Sequence, residues 1–248
     1  LKTEARNFPM EILFLRDDDI PQYVEKGVAD IGILGENEVW ERDKDVEVLK
    51  KLGFGNCRMS LAIPKDKEYT GLHYFNGKRV ATSYPKILNK HFSEQGIQVE
   101  IEQLGGSVEI TTGIGLADGI FDIVSTGSTL LMNGLKEAEV LLKSEAVLIA
   151  NKYLSKTKTE LLDQLLFRIQ SHHNGQGKKY VLLNAPNDVI PEIVKLLPGM
   201  RSPSILPLAD SGWSSIHSVI GDDNFWENID EMKRLGEEGI LVDPMKKI

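Results

Sequence analysis

The sequence has a single cysteine, Cys57, in 248 residues, which excludes an intrachain disulfide and leaves an oxidising compartment without support. It lacks any apolar run near the roughly 18 residues that cross a bilayer. Residues 1–7 are polar and of mixed charge, without the apolar core of a secretory signal. Basic residues are in deficit, 29 against 37 acidic ones, and the net charge of −8 argues against non-specific binding to nucleic acid. These absences predict a cytoplasmic protein with neither a membrane nor a nucleic-acid partner.

What remains is the composition of an ordinary folded protein, with 41% hydrophobic and 27% charged residues. A length of 248 residues, at roughly 150 residues per domain, indicates about two compact units. An acidic chain can still hold a polyphosphate, because local backbone N–H groups and a divalent cation supply the opposing charge. The bulk numbers therefore leave phosphate chemistry open.

The first two thirds of the chain alternate apolar runs with helical patterns, which is typical of α/β units. Residues 10–15 and 29–34 are predicted strands with a helix at 20–26 between them, and this order implies that the two strands pair in parallel. A second series is predicted with strands at 58–64, 79–82, 99–104, 122–125 and 140–150, and helices at 85–95 and 114–120. Two such lobes joined by crossover segments place a ligand cleft between them.

The last third of the chain has a different pattern. A helix is predicted at 160–170, and the polar segment 171–177 is the predicted linker. Strands then follow at 179–184, 204–208, 215–219 and 239–242, with helices at 189–197 and 224–235. This β-α-β-β-α-β order is the ferredoxin-like pattern.

The predicted fold class is therefore α/β: a two-lobed core like that of the periplasmic binding proteins, followed by a ferredoxin-like (ACT-like) domain. The predicted domains are lobe I at 1–60 and 151–177, lobe II at 61–150, and the C-terminal domain at 178–248.

The segment Phe121–Leu130, FDIVSTGSTL, carries the strongest chemical signal. A strand with the acidic residue Asp122 leads into a loop of small and hydroxyl residues, whose backbone N–H groups can converge on a phosphate. The loop residues are Ser125, Thr126, Gly127, Ser128 and Thr129. The Gly-Lys pair of a P-loop is missing, and on composition alone a ligand-free turn is an equal alternative.

The other candidates each have an ordinary structural alternative. Asp18, in the segment RDDDIP, is expected to cap a helix rather than bind a ligand. Tyr84 would pack in a core if it does not face a ligand, and Glu109 would be a surface acid. His172 and His173 are adjacent in the predicted linker and have no third ligand, so we expect them to be exposed rather than metal-bound.

Five separated motifs together resemble one family, the ATP phosphoribosyltransferases, and they occur in the order that the family has. They are Arg16–Asn37, Gly77–Pro85, Leu104–Ile110, Gly115–Leu135 and Leu197–Trp213. The resemblance covers essentially the whole chain.

The resemblance implies a role for each matching residue. Ser125, Thr126, Gly127, Ser128 and Thr129 would hold the 5′-phosphate of phosphoribosyl pyrophosphate (PRPP). Glu109 and Asp122 would accept hydrogen bonds from the ribose hydroxyls. Tyr84 would lie beside the adenine, and Arg16 with Asp17 and Asp19 would line the facing edge of lobe I. Arg58 and Arg79 would be further cations at the hinge.

The implied reaction displaces pyrophosphate from C1 of PRPP by N1 of ATP, the first step of histidine biosynthesis. The resemblance also implies Mg²⁺ bound through the pyrophosphate with no assigned protein ligand, no general base, and a homohexamer. Histidine would inhibit from the C-terminal domain, with Asn184, Met200, Ser204, Val219 and Gly239 as the pocket positions. Family members usually begin with a further strand and a basic, glycine-containing loop, which this sequence does not contain.

Two alternatives come from other classes of protein. A solute-binding receptor would also have two α/β lobes joined by a hinge, but it would not be expected to have a regulatory domain or a phosphate loop. A catalytically inactive regulatory partner of a separate phosphoribosyltransferase would not be expected to retain the FDIVSTGSTL loop.

Overall fold

A computed structural model describes residues 2–175, 177–197, 199 and 202–244. The chain forms two compact units, 1–155 and 156–248. The first unit contains two separate sheets in addition to an N-terminal β-ribbon, and the second contains one sheet.

The first lobe is built around a small antiparallel sheet. Its elements are β1 (Lys2–Glu4), β2 (Glu11–Leu13), α1 (Ile20–Glu25), β3 (Ile31–Gly35), α2 (Glu36–Arg42), β4 (Glu47–Lys51) and, from later in the chain, β10 (Ala146–Ala150). Strand β10 lies between β3 and β4 and is antiparallel to both, whereas β1 and β2 form a ribbon of their own. Helix α1 packs on the sheet through Val24, which is fully buried with Val147 and Ile149.

The second lobe contains a five-stranded mixed sheet in the order β7-β6-β8-β5-β9. Its elements are β5 (Cys57–Pro64), β6 (Arg79–Thr82), α3 (Pro85–Glu94), β7 (Glu100–Gln103), β8 (Gly119–Val124), α4 (Ser128–Met132) and β9 (Leu135–Ser144), with 3-10 turns at Leu72–Phe75 and Val108–Ile110. Apolar side chains of β5, such as Met59 and Leu61, are fully buried with Phe75 and Phe92. Strands β6 and β8 are parallel neighbours, so their carboxyl ends meet at one edge of the sheet.

The second unit has the ferredoxin-like topology that the sequence predicts. Its elements are α5 (Lys156–Gly175), β11 (Lys178–Pro186), α6 (Ile190–Leu196), β12 (Ser204–Pro207), β13 (Trp213–Gly221), α7 (Asp222–Arg234) and β14 (Glu238–Pro244). The sheet order is β12-β13-β11-β14, with every pair antiparallel. Phe225 and Met232 of α7 are buried against Val181 and Leu183 of β11. The predicted fold class, an α/β core of two lobes plus this domain, is confirmed.

Three local predictions are wrong. Residues 114–120 are not a helix but turns that lead into β8, because Gly115 adopts the left-handed φ of 77°. Residues 171–175 are not a linker but the last turn of α5, so His172 and His173 lie on a helix. Strand β2 does not pair in parallel with β3, since it pairs with β1 and β3 pairs with β10.

The observed boundaries also differ from the predicted domains. Strand β5 begins at Cys57 and already belongs to the second-lobe sheet, whereas β10 belongs to the first-lobe sheet. The segment from Lys156 onward groups with the C-terminal unit rather than with lobe I. Helix α2 and strand β4 were not predicted at all.

Candidate functional site

The candidate site lies where the parallel strands β6 and β8 end. Thr82, the last residue of β6, is in register with Phe121 of β8. Tyr84 follows β6 by two residues, and Asp122 and the 125–129 loop follow the same point on β8. The sheet therefore brings the second and fourth of the five motifs to the same edge.

The 125–129 loop turns the chain from β8 into the short helix α4. Gly127 has φ 82°, a left-handed conformation that side-chain-bearing residues rarely adopt. Val124 and Leu130 are buried on either side of the loop, whereas Ser125, Thr126, Ser128 and Thr129 are exposed. The hydroxyls of Thr126 and Ser128 lie 3.0 Å apart. The loop thus exposes several hydroxyl side chains, which is typical of a phosphate site.

Arg58 of β5 contacts this loop through its guanidinium group. Its Nη1 donates to the Ser125 carbonyl oxygen at 2.7 Å, while Nε and Nη2 donate to the two carboxylate oxygens of Glu137 at 2.6 and 2.8 Å. Ser60 Oγ donates to the same carboxylate at 2.6 Å. The hydrogen bond from Arg58 lowers the pKa of Glu137. The expectation that Arg58 is a further cation at the hinge is therefore modified, because its charge is matched by Glu137.

Asp122 and Glu109 form an acidic pair beside the loop. Asp122 accepts the Ile123 N–H at 2.7 Å, and burial raises the pKa of its carboxyl, with a further contribution from the negative charge of Glu109. Glu109 is carried by the 3-10 turn Val108–Ile110, which is anchored by the buried Val108. The structure therefore brings together these two residues, which lie in separate motifs.

Tyr84 is almost fully covered, at 7% exposure. Its N–H donates to Thr82 Oγ1 at 2.9 Å, and Asn37 Nδ2 donates to its hydroxyl oxygen at 3.5 Å. Burial raises the pKa of Tyr84, followed in effect by the charge of Glu38 and, more weakly, those of Asp122 and Asp17. Tyr84 is therefore a neutral phenol between the two lobes. Most of its ring is packed against other residues, as the structural alternative in the sequence analysis expected.

Side chains of alternating charge form a row on the first lobe, on its side of the candidate site. Arg16 Nε lies 3.4 Å from Asp18, Arg42 Nη2 lies 3.9 Å from Asp18, and Arg42 Nε donates to Glu38 at 3.1 Å. Burial raises the pKa of Glu38. The prediction that Asp18 caps a helix is wrong, because Asp19 holds the N-cap position and Asp18 faces two arginines. Arg16, Asp17 and Asp19 are exposed.

A second link between the lobes was missed by the sequence analysis. Glu41 of α2 is 4% exposed, and its two carboxylate oxygens accept the N–H groups of Lys86 and Ile87 at 3.1 Å each. It therefore caps the first turn of α3, directly after Tyr84. Helix α2, which carries Asn37, Glu38, Glu41 and Arg42, was not predicted; the one signal for it was the run of Glu and Arg at helical spacing after Gly35.

Arg79, the other expected hinge cation, lies at the opposite end of β6. Its Nε is 3.6 Å from Asp118, and its backbone N–H donates to the same carboxylate at 3.0 Å. Arg79 therefore stands away from the strand end where the other candidates meet. Cys57 is partly buried, and burial raises the pKa of its thiol.

The predicted regulatory positions share one face of the C-terminal sheet. Asn184, Ser204 and Val219 are paired in register with Ser215, His217 and Tyr180, on the face opposite to the buried Val181 and Leu183. Gly239, with φ 66°, lies beside Asn184, since a Cβ atom there would be 3.8 Å from Asn184 Nδ2. Met200 lies outside the described residues.

The same face carries a polar contact that the sequence analysis did not find. His217 interacts through Nδ1 with the Tyr180 hydroxyl and through Nε2 with Ser215 Oγ at 3.1 Å. Both ring nitrogens of His217 are thus engaged next to the Ser204 and Val219 positions.

The described part of the chain has neither a metal-ligand cluster nor a membrane-spanning helix. Within residues 2–175, 177–197, 199 and 202–244, no three His, Cys, Asp or Glu side chains are grouped so that they could hold a metal ion. In the same part of the chain, no helix is both long and apolar enough to cross a membrane.

Comparisons with known proteins cover the whole chain. A family model described as ATP phosphoribosyltransferase matches residues 16–171, and one described as HisG, C-terminal domain, matches residues 175–247. ATP phosphoribosyltransferases of Bacteroides fragilis and Bacteroides thetaiotaomicron are 56% and 57% identical over 248 residues, which is 100% of this chain and 88% of each relative.

One solved structure is also similar. The ATP phosphoribosyl transferase (HisG:HisZ) complex from Thermotoga maritima aligns with a TM-score of 0.60 and 29% identity, over 68% of this chain and 82% of the matched chain.

Proposed function

The chain belongs to the ATP phosphoribosyltransferase family, and we propose that PRPP binds at the 125–129 loop and ATP beside Tyr84. The enzyme is a pentosyltransferase that catalyses the first step of histidine biosynthesis. It transfers the 5-phosphoribosyl group of PRPP to N1 of ATP and releases pyrophosphate.

The observation that supports this site is the meeting of β6 and β8 at one sheet edge. The loop donors, the Asp122–Glu109 pair and Tyr84 then surround a single strand end. A phosphate at the loop would leave the ribose hydroxyls near Asp122 and Glu109, whose carboxylates are acceptors when ionised. Arg16 and Asp19, exposed on the first lobe, would face the substrates from the other side.

In the reaction, the bond from C1 of the ribose to the pyrophosphate oxygen breaks and the bond from N1 of adenine to C1 forms. N1 carries no proton in neutral adenine, so no general base is needed. The protein then contributes mainly by orienting the two substrates and by matching the charge that develops. Tyr84 remains protonated because of its raised pKa, and it can serve as a neutral wall or hydrogen-bond donor.

Magnesium fits this site as part of the substrate. Two adjacent carboxylates stand beside the loop, and the described residues contain no cluster of three acidic, His or Cys ligands. Mg²⁺ commonly keeps several waters and binds through substrate phosphates with few protein ligands. When bound, it would offset negative charge on the departing pyrophosphate. We propose that the ion binds through the pyrophosphate, with no protein ligand assigned.

The C-terminal domain would bind histidine as a feedback inhibitor, on the sheet face that carries Asn184, Ser204 and Val219. The supporting observation is that these positions share one face of the sheet, where Gly239 lies beside Asn184 and where His217 and Ser215 add polar groups. A homohexamer and a cytoplasmic location remain predictions from the family resemblance.

The experiment is an assay of phosphoribosyl-ATP formation by absorbance, with ATP, PRPP and Mg²⁺, in the presence and absence of histidine. Asp122→Ala combined with Thr129→Ala is expected to abolish PRPP binding in calorimetry. The matched control is Asp66→Ala with Thr70→Ala, two exposed positions of the same lobe outside the loop. Wild-type PRPP affinity in the Asp122/Thr129 variant would refute the assignment of the loop.

A further inference from the structure

We propose that Arg58 and Glu137 are positioning residues that hold the 125–129 loop in the shape that binds the PRPP phosphate. This inference rests on the proposed role of that loop. It assigns a function to an ion pair that contacts the loop through the Ser125 carbonyl oxygen.

Three neighbouring strands fix the position of the ion pair. Strand β5 lies between β8 and β9, and Arg58 is in register with Val124, the last residue of β8 before the loop. Its guanidinium is held at both ends, by the Glu137 carboxylate on β9 and by the Ser125 carbonyl on the loop. A bidentate arginine–carboxylate pair has a defined direction, so the third contact, to Ser125, is fixed as well.

The contact with Arg58 also orients the peptide bond after Ser125. Because a trans peptide is planar, its carbonyl and its N–H point in opposite directions. Holding the Ser125 oxygen on Arg58 at 2.7 Å therefore turns the Thr126 N–H away from β5. That donor is a backbone N–H within the loop, and the left-handed Gly127 follows it.

Glu137 is in turn held by a hydrogen bond from Ser60. Ser60 is fully buried, and its hydroxyl donates to Glu137 Oε1, which already accepts from Arg58 Nε. Ser60 is also in register with Asp122 on β8. The same group of side chains therefore lies beside Asp122, the carboxylate proposed to bind the ribose, as well as beside the phosphate loop. It can keep the distance between Asp122 and the loop constant.

A simple electrostatic role for these residues gives the opposite expectation. If Arg58 acted only as a positive charge near the phosphate, Arg58→Lys would retain much of the affinity for PRPP. Glu137→Gln would then tighten PRPP binding, because it removes a negative charge beside an anionic ligand. If Arg58 and Glu137 act as a brace, both changes weaken PRPP binding, since lysine cannot make the forked contact and glutamine presents N–H groups to an arginine.

The test is steady-state kinetics of the full-length enzyme with each substrate varied in turn. Glu137→Gln and Arg58→Lys are each expected to raise the KM for PRPP about tenfold, which corresponds to one lost hydrogen bond to a charged group. The KM for ATP should stay within about twofold, within the scatter expected for a change that the ATP site does not sense. The double variant should have a KM for PRPP no higher than that of either single variant, because each substitution disrupts the same Arg58–Glu137 pair.

Glu139→Gln is the matched control. Glu139 lies two residues further along β9 and accepts a hydrogen bond from Tyr69 rather than from the loop contacts. It should leave the KM for PRPP unchanged. Ser60→Ala provides a milder variant if Arg58→Lys folds poorly, and it should shift the KM for PRPP in the same direction by a smaller factor.

Unchanged or tighter PRPP binding in Glu137→Gln, while Asp122→Ala with Thr129→Ala abolishes it, would overturn the brace and leave the proposed function intact. Wild-type PRPP binding in the Asp122/Thr129 variant would overturn both.

Discussion

Glu41 offers a sharp test of how the two lobes are joined. Helix α3 begins at Pro85, which has no N–H to satisfy. The N–H of Leu88 bonds to the Tyr84 carbonyl, which leaves those of Lys86 and Ile87. Both of these donate to Glu41, a residue of the other lobe. We therefore expect Glu41→Ala to leave two N–H groups of the first turn without an acceptor.

The size of the effect follows from these contacts. Loss of an N-terminal cap costs about 0.5–2 kcal/mol, and a hydrogen bond to a charged group contributes about 1.5–3 kcal/mol. The carboxylate is itself buried and pays for its desolvation, so the two bonds do not add in full. We expect Glu41→Ala to destabilise α3 by about 2 kcal/mol. Glu41→Gln keeps one acceptor oxygen and should cost about half of that, roughly 1 kcal/mol.

Hydrogen exchange measured by mass spectrometry on peptides covering 85–94 is the assay. A loss of about 2 kcal/mol should speed the exchange of the protected α3 amides about thirtyfold. The control is Glu94→Ala, an exposed acid at the other end of the same helix. It should not destabilise the helix, because a negative charge is unfavourable at a helix C-terminus. Exchange of α3 in Glu41→Ala within about threefold of the wild type, well under 1 kcal/mol, would refute the capping role.

The remaining predictions concern Asp122 and the regulatory face. Because burial raises the folded-state pKa of Asp122, its ionised form destabilises the free enzyme above that pKa, and the cost disappears as the pH falls through it. Asp122→Asn should therefore raise the melting temperature at pH 7 while weakening PRPP binding. The difference in melting temperature between this variant and the wild type should shrink as the pH falls toward 3.8. An unchanged melting temperature at pH 7 would contradict this. Asn184→Ala should raise the histidine concentration for half-inhibition by about tenfold without changing activity in its absence, whereas Asp188→Ala, an exposed neighbour, should change neither; equal inhibition of both variants would argue against this face.

Several elements could be predicted closely because their signals are local. Strand β6 has the bounds that the sequence indicates, 79–82, since a short apolar run stands between two turns. The ferredoxin-like order of the last third was recognisable from the spacing of its strands and helices. The errors have local causes as well. The segment 114–120 has helical spacing but is interrupted by Gly115, and the polar segment at 171–175 simply continues α5.

The amino-acid sequence by itself determined the fold class, the family and the position of the hydroxyl-rich loop, because each depends on neighbouring residues or on the order of motifs. Only the tertiary structure decided which side chains support that loop. Arg58 and Glu137 are 79 residues apart, and Glu41 is 45 and 46 residues from the amides that it caps. Composition contains no signal for such pairs, since most arginine and glutamate residues lie on the solvated surface of a protein. Strand order and register place them together, and in that arrangement the expected hinge cation Arg58 is paired with Glu137.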